Sequence, residues 1–329
     1  MVTIASPNVG TFQQDAWELP KEKPFLKRVS GPWLQNPAGL LGLIIVFAFI
    51  VLGVIGDDWR LCLGIPGIDA NLGCTPTVPS IAPYDPRGFD TSAQFASPSL
   101  EHPFGTTKFG QDIFSRMVVG ARLSLWFGAA VLLVGFLPGA ILGILSGYFG
   151  RWVDYAIQRS GEAWAAFPQL PILLTVIAAV GPGLKAVIIV IAISALFGGS
   201  RLLRAVSLVE KHKEYVIAAR AVGASEFDIL RRYIVPNIMP YILVGVSSVF
   251  ALAIIAEATL SFLGLGVERG TPGWGIDLAA GTPNASEYPH LVIYPGLVIS
   301  VVVLGFNLLG DTLRDILDPR LRGSTGPKR

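Results

Sequence analysis

Residues 214–236 read EYVIAARAVGASEFDILRRYIVP, a polar and helix-prone block that lies between long apolar stretches. Extended to residues 201–237, the block carries seven basic and four acidic side chains. Charged side chains are costly inside a bilayer and are rare there. Because the stretches on both sides are long enough to span a membrane, we expect this block to project from the membrane into water.

Helix propensity and punctuation divide the block into two helices. A first helix is predicted over 205–222, followed by a turn at Gly223–Ala224, because glycine interrupts helices and accepts turn conformations. A second helix is predicted over 225–233, with Ser225 as its N-cap and Pro236 beyond its end. These features alone fit a solvated helical hairpin and a docking surface for a partner equally well.

The composition of the whole chain is that of a membrane protein. Of its 329 residues 52% are hydrophobic and 15% are charged, with a mean hydropathy of +0.59, whereas soluble domains average about 25% charged residues. Spanning a bilayer takes about 20 apolar residues, and a backbone in hydrocarbon must satisfy its own hydrogen bonds. We therefore predict an all-α polytopic protein with six transmembrane helices near 38–56, 121–147, 162–181, 184–200, 238–262 and 291–310.

The basic residues predict the orientation of these helices. With the N-terminus inside, the inner segments 1–37, 148–161, 201–237 and 311–329 carry 4, 2, 7 and 5 basic residues, 18 of the 25 in the chain. Such a bias is typical of cytoplasmic segments, so both termini are expected in the cytoplasm. The net charge of +2 gives no indication of a nucleic-acid partner.

Five parts follow from this pattern: a cytoplasmic N-terminal tail with an interfacial segment, a first transmembrane helix, an extracytoplasmic loop or cap, a core and a cytoplasmic C-terminal tail. Their predicted bounds are 1–37, 38–56, 57–120, 121–311 and 312–329. The cap contains Cys62 and Cys74. An oxidising exterior would favour a disulfide between them, and two free thiols are the alternative.

One face of the second predicted helix carries glycine at every fourth position. These residues are Gly135, Gly139, Gly143 and Gly147. Small residues at this spacing let two membrane helices approach closely. The spacing is consistent with ordinary tight packing, or with a sliding or pore-lining face.

The polar block resembles a known motif. It is similar to the cytoplasmic coupling loop of ABC importer permeases. The similarity lies in Ala218 and Ala219, followed after three residues by Gly223, and in a later short apolar run that ends at Pro236. The resemblance to one branch, the C-type permease of dipeptide and oligopeptide importers, covers about residues 30–323. The stretches that carry it are 36–44, 104–125, 166–171, 256–266, 272–275 and 310–323.

Two positions depart from the broad family motif. Ile217 stands where the motif has glutamate, and Tyr233 replaces the usual isoleucine. Glu214, followed by Tyr215, matches the peptide-importer branch instead. The departures therefore narrow the resemblance to that branch.

The resemblance implies that the polar block couples the membrane helices to separate ATPases. The slim surface left by Ala218, Ala219 and Ala221 would enter a groove on the partner, with Arg220 at its rim. The residues expected to serve this coupling are Glu214, Tyr215, Ala218, Ala219, Arg220, Gly223, Ala224 and Pro236.

As a member of this family, the chain would form half of a channel in the inner membrane. It would work with a homologous second permease, two ABC ATPase subunits and an extracytoplasmic substrate-binding protein. The resemblance implies import of di- or oligopeptides, with nickel or another small solute as the alternative. No cofactor and no enzymatic activity are expected, because ATP hydrolysis would lie on the partners.

Three residues are candidates for a translocation path. Glu257 and Ser261 lie near the outer end of the fifth predicted helix, and Glu162 lies near the inner end of the third. An ionisable group in a membrane helix usually faces protein or water. Glu257 would therefore meet a passing substrate, or form a structural hydrogen bond to a neighbouring helix.

Two other classes of protein fit the sequence less well. A proton-driven carrier using Glu257 and Glu162 would predict inverted internal repeats, and it leaves the polar block without a role. An intramembrane enzyme would need a nucleophile and base, and no such arrangement stands out in the sequence. The sequence also lacks G-x-x-x-x-G-K-[ST], and its three histidines are scattered.

Overall fold

The computed structural model describes residues 36–55, 81–181, 183–268 and 270–317. Within these ranges the chain forms helices, loops and one isolated β-bridge, between Thr106 and Asp112. The helices, apart from short 3₁₀ turns at Thr91–Ala93 and Thr282–Asn284, are α1 Pro37–Ile55, α2 Ile113–Phe149, α3 Arg151–Ala165, α4 Gln169–Val180, α5 Leu184–Glu210, α6 Glu214–Ala221, α7 Glu226–Phe262, α8 Trp274–Gly281 and α9 His290–Leu317.

The predicted all-α polytopic fold is confirmed. In the part of the chain that the structure describes, five helices are long and apolar enough to span a membrane, namely α1, α2, α5, α7 and α9. The pair α3 and α4 adds a sixth span if the two are counted together, although they meet at a bend of 87°. The prediction of one helix over 162–181 was therefore wrong in its geometry, because Pro168, immediately before α4, is extended and interrupts the helical run.

Prolines lie inside several long helices without ending them, and two of these prolines follow a π-helical segment. In α2 a π-helical segment, Val131–Phe136, precedes Pro138, and in α7 a π-helical segment, Ile229–Ile234, precedes Pro236. Proline cannot donate the hydrogen bond that an α-helix needs at its position. The wider turn absorbs this loss, and both helices continue past the proline.

The two cytoplasmic helices were predicted with the wrong bounds. The first, placed at 205–222, is interrupted after Glu210, and a new helix begins at Glu214. The second, placed at 225–233, is the first part of α7 and runs on past Pro236. Consequently α6 is a separate helix of eight residues that is fixed between two membrane helices, α5 and α7.

The glycine face of α2 packs against α5. A Cβ on Gly139 would lie 2.1 Å from the carbonyl oxygen of Leu196, and one on Gly143 would lie 2.4 Å from that of Ser200. Gly135 and Gly147 face Ala192 and Arg204 at 2.4 and 2.6 Å in the same way, so that the four facing residues of α5 follow one another at intervals of four. The tight-packing interpretation of this stripe is confirmed, since only glycine leaves room for the facing backbone.

At the end of the bundle opposite α6, α8 is held against α2 by polar and aromatic contacts. Trp274 is buried and its indole nitrogen donates to the Met117 carbonyl oxygen over 2.9 Å. Arg116 donates to Asp277 at 2.6 Å inside the protein. Asp112 caps the start of α2 by accepting from the Ser115 amide, so the helix begins at Ile113, before the apolar segment predicted at 121–147.

The apolar outer surface of the helices is what a lipid environment requires. On α1, for example, Ile44 and Phe47 are 56% and 66% exposed, whereas Phe49 is buried against the bundle. A water-soluble protein rarely exposes large apolar side chains over a continuous surface. These residues are therefore placed to face lipid or another membrane subunit.

Candidate functional site

The short helix α6 has one buried and one exposed face. Val216 and Ala219 point inward and pack in an apolar cluster with Leu203 of α5 and Ile234 of α7. Ile217 and Val222 lie on the outside and are 58% and 84% exposed. The burial of one face fixes α6 on the bundle, while the other face leaves apolar side chains open to a partner.

The predicted contact surface of α6 therefore needs one correction. Ala219, expected on the slim surface with Ala218 and Ala221, is 5% exposed and packs against the chain's own core. Ala218 and Ala221 are exposed, and Glu214 is exposed at the first turn of the helix. The slim face is formed by two alanines, flanked by Ile217.

The turn at Gly223 closes α6, as predicted. Gly223 has φ +84°, a conformation that side chains other than glycine rarely adopt. The Ala224 amide donates to the Ala219 carbonyl oxygen at 3.1 Å, and the Gly223 amide donates to that of Arg220 at 3.0 Å. This pair of bonds is the Schellman motif that ends many helices.

The predicted N-cap at Ser225 is confirmed. Its hydroxyl oxygen accepts a hydrogen bond of 3.1 Å from the Asp228 amide, which starts α7. Together with the Gly223 turn, the cap reverses the chain within a few residues. The side chain of Phe227, just after this turn, is 69% exposed and extends the apolar surface of α6.

A carboxylate that the sequence analysis did not single out anchors the start of α6. Glu210, the last residue of α5, is buried and accepts hydrogen bonds from the Tyr215 hydroxyl and, over 2.8 Å, from the Lys213 ammonium. Burial, followed by the bond to Glu210, raises the pKa of Tyr215 above its ordinary value. The phenol thus keeps its proton at neutral pH and remains the donor.

A second polar cluster anchors the end of α6. Tyr148, at the end of α2, donates to Glu226 at the start of α7. Arg220 of α6 donates to the Tyr148 hydroxyl oxygen over 3.3 Å and to Glu226 over 3.4 Å. Arg220, expected at the rim of a partner contact, is thus already engaged within its own chain.

The link between α5 and α6 is tied to α2 as well. Lys211 donates to the Gly147 carbonyl oxygen over 2.7 Å and to that of Tyr148 over 3.3 Å. These carbonyls lie in the last turn of α2, where a helix has unpaired oxygens and a partial negative charge. The α6 end of α2 is therefore bonded both to the link before α6 and to α6 itself.

A groove of about 1260 Å³ runs between α5 and α7. Its walls are built from one helical face of each, since the lining positions recur every three or four residues. On α5 the lining residues are Ile191, Ser194, Ala195, Gly198, Gly199, Leu202, Val206 and Glu210. On α7 they include Pro236, Asn237, Pro240, Tyr241, Val244, Gly245, Ser248, Val249 and Leu252.

The groove is apolar over most of its length and charged at one end. Gln169, Ser194 and Tyr241 contribute scattered hydrogen-bonding groups. Glu210 and Lys213, at the α6 end, are the charged groups nearest to α6 in its lining. Two of the residues that anchor the start of α6 thus also border the groove.

The three candidate path residues lie elsewhere. Glu257 is 1% exposed and accepts hydrogen bonds from Ser124 over 3.1 Å and from Ser261 over 2.8 Å. Ser124 belongs to α2, so Glu257 has the hydrogen bond to a neighbouring helix that the structural interpretation expected. Glu162 is exposed on α3 and pairs with Arg159 at 2.9 Å. None of the three candidates lines the groove.

Several predictions fall on residues that the structure does not describe. Cys62 and Cys74, the N-terminal tail up to residue 35 and the chain beyond residue 317 lie outside the described ranges. Among the described residues no group of three or more histidine, cysteine, aspartate or glutamate side chains is placed to hold a metal ion.

Together, the spanning helices, the groove and an exposed helix fixed between two spans define a multi-pass membrane protein of the transport-permease class. Residues 139–323 match the family of binding-protein-dependent transport system inner membrane components. The chain belongs to that family.

Individual relatives agree with this assignment. A dipeptide transport system permease protein of Alkalihalophilus pseudofirmus is 35% identical over 288 residues, 88% of each chain. A glutathione transport system permease protein of Escherichia coli is 41% identical over 244 residues, 74% of this chain and 80% of the relative. One of the same name from Pectobacterium atrosepticum is 40% identical over 243 residues, 74% of this chain and 81% of the relative.

Proposed function

We propose that this chain is the membrane-spanning subunit of an ATP-driven importer of di- or oligopeptides. The observation that carries the proposal is α6: an exposed apolar face on a helix that its own buried face and polar ends fix to the bundle beside a groove. The peptide cargo is inferred from the relatives, which are named as dipeptide and glutathione permeases.

In this proposal α6 is the coupling helix. Its exposed residues, with those of the Gly223 turn, dock into a groove on an ABC ATPase subunit. Residues expected at or beside this contact are Glu214, Ala218, Gly223 and Ala224, while Tyr215 and Arg220 hold α6 on its own bundle. Ala219 supports the contact from below by packing in the core, and Pro236 borders the membrane groove.

The complete transporter would contain a homologous second permease, two ATPase subunits and an extracytoplasmic substrate-binding protein. The second permease would face the groove between α5 and α7, because half a channel needs an opposing wall. A path along that groove agrees with its scattered hydroxyl and amide groups better than a path past the buried Glu257. We assign both termini and α6 to the cytoplasm because the basic residues of the sequence are concentrated in these segments.

ATP binding would draw the two ATPase subunits together and carry the docked coupling helices with them. The helices tied to α6 would then shift, so that the groove opens to the exterior and accepts the delivered peptide. Hydrolysis would reset the inward-facing state. This chain would form no covalent bond with the substrate.

The test is uptake of labelled dipeptide, oligopeptide and glutathione, alongside nickel, in cells with and without this chain. Loss of uptake of any of the labelled peptides on deletion, restored by a plasmid copy, is the expected result. Loss of nickel uptake alone would refute the peptide cargo and keep the transport machinery.

A proton-driven carrier gives a different result in the same cells. A proton uncoupler added with the ATP level held constant would abolish uptake by a carrier, whereas the proposed importer would continue to work. Abolished uptake under these conditions would contradict the ATP-driven mechanism.

A further inference from the structure

We propose that two tyrosine–carboxylate hydrogen bonds clamp α6 at both ends: Tyr215 with Glu210 at its start and, through Arg220, Tyr148 with Glu226 at its end. They make α6 one rigid unit with the adjoining ends of α2, α5 and α7, and so convert displacement of α6 into movement of these helices. The inference rests on the proposed function, and it gives Tyr215 and three residues that the resemblance does not single out, Tyr148, Glu210 and Glu226, the role of positioning α6.

The first clamp joins α6 to α5. The Tyr215 hydroxyl donates to Glu210, whose side chain is buried at the end of α5. Lys213, from the link, approaches the other oxygen of the same carboxylate to 2.7 Å. A buried carboxylate with both oxygens engaged is costly to pull away, because it would then be left without its partners.

The second clamp joins α6 to α2 and α7. Tyr148 is 6% exposed and donates to Glu226, so that the end of α2 is bonded to the beginning of α7. Arg220, in the last turn of α6, contacts both members of this pair. Its guanidinium also lies 5.9 Å from the centre of the Tyr148 ring.

Apolar packing alone would not hold α6 in one orientation. The buried faces of Val216 and Ala219 resist removal from the core, but the hydrophobic effect has no direction and permits rolling and tilting. Hydrogen bonds depend steeply on angle. Tyr215 and Arg220 are five residues apart, about 7.5 Å along the helix at about 1.5 Å per residue, so two directional contacts near its ends fix both its tilt and its rotation.

The inference predicts that loosening a clamp separates ATP hydrolysis from transport. The variants are Tyr215→Phe, Tyr148→Phe and the double variant, each of which removes only hydroxyl groups. The matched control is Tyr155→Phe, because Tyr155 is a tyrosine on α3 that is 59% exposed and lies outside both clamps. Each variant is expressed with its partner subunits, purified from the membrane as the whole complex and reconstituted in vesicles.

Three quantities are measured: co-purification of the ATPase subunits, the rate of ATP hydrolysis, and the number of labelled dipeptides or oligopeptides transported per ATP. In each single variant we expect assembly and hydrolysis within about twofold of the wild type and a transport ratio lower by about tenfold, the effect of losing one hydrogen bond to a charged group. The double variant falls further, and the control keeps the wild-type ratio.

A wild-type ratio in both single variants would overturn the inference. So would a loss of hydrolysis in step with transport, since that is the signature of a merely structural role. If Tyr148→Phe does not assemble, Glu226→Gln decides: a lowered ratio in an assembled complex supports the clamp, and a wild-type ratio refutes it. A wild-type complex that transports none of the labelled peptides would instead refute the proposed function, and with it this inference.

Discussion

Substitution of Gly223 by aspartate tests the coupling role of α6 most directly. Gly223 has φ +84°, and a Cβ built there meets nothing within 4 Å. The cost to folding is therefore backbone strain alone, about 1–2 kcal/mol for a residue other than glycine in this conformation. The new carboxylate would lie two residues before Ser225, at the positive end of α7, which favours a negative charge. We expect the variant to fold and insert.

The cost at a partner contact is larger. If the ATPase covers the Gly223 turn, the carboxylate is desolvated there without a partner, which costs about 3–5 kcal/mol. At about 1.4 kcal/mol per factor of ten, this cost lowers the affinity between α6 and the ATPase more than about 100-fold. Because this exceeds the strain in the chain itself, Gly223→Asp should abolish uptake while leaving a normal amount of folded protein in the membrane.

Two control variants separate the causes. Gly223→Ala introduces the same backbone strain without charge or length, and should retain most of the uptake. Gly264→Asp repeats the substitution at the opposite end of α7, where the glycine has φ +76° and equally open surroundings. The assay combines peptide uptake, membrane content and co-purification of the ATPase. Normal uptake and co-purification with Gly223→Asp would refute the coupling role of this turn.

Three further predictions concern the bundle itself. Gly139→Ala places a methyl group 2.1 Å from a backbone oxygen and should lower the melting temperature of the purified chain, at a cost of about 1–3 kcal/mol. Gly198→Ala, with open space around it, should leave the melting temperature unchanged. Equal melting temperatures of the two variants would contradict the packing argument. Arg116→Met should lower the free energy of unfolding by about 3–5 kcal/mol because it leaves the buried Asp277 without its partner. Adding Asp277→Leu should recover most of that loss of stability in a thermal unfolding assay. A double variant no more stable than the single one would count against a buried pair. Glu257→Gln should keep peptide uptake within about twofold of the wild type, because an amide oxygen still accepts a hydrogen bond from a serine hydroxyl. Glu257→Ala, which removes the acceptor, should reduce the amount of folded protein. Loss of uptake in a well-folded Glu257→Gln variant would favour a role of Glu257 in the translocation path.

Hydropathy was sufficient to predict the class of fold, because a bilayer leaves the backbone few choices. Long apolar segments must be helices, and their order follows from the sequence. The bend between α3 and α4, however, leaves five spans in the described part of the chain, or six if that pair is counted as one. Local signals were equally reliable where the cause is local. The Ser225 cap and the Gly223 turn depend on neighbouring residues alone, and both lie where the sequence predicted them.

The break between α5 and α6 could not be predicted in this way. Residues 211–213, KHK, contain no helix breaker. The chain leaves the helix there because Val216 and Ala219 reach the apolar cluster on α7 only if α6 turns away from the axis of α5. Tertiary burial therefore overrides local propensity at this point.

The clamp residues were missed for a related reason. Tyr148 and Glu226 are 78 positions apart, and a tyrosine at the end of an apolar helix is ordinary in sequence. Glu210 looks like one charge among many in a polar block. Only the fold brings these side chains into contact, so no spacing rule could have identified them.

The arrangement of α6 also links the two halves of the proposed mechanism. The groove is walled by α5 and α7, and α6 is the helix that joins the end of one to the beginning of the other. Glu210 belongs at once to the groove lining and to the clamp on Tyr215. A partner that displaces α6 must therefore move a wall of the groove or break a buried hydrogen bond. Because breaking that bond would leave a buried carboxylate without its partner, which costs free energy, the structure favours movement of the wall.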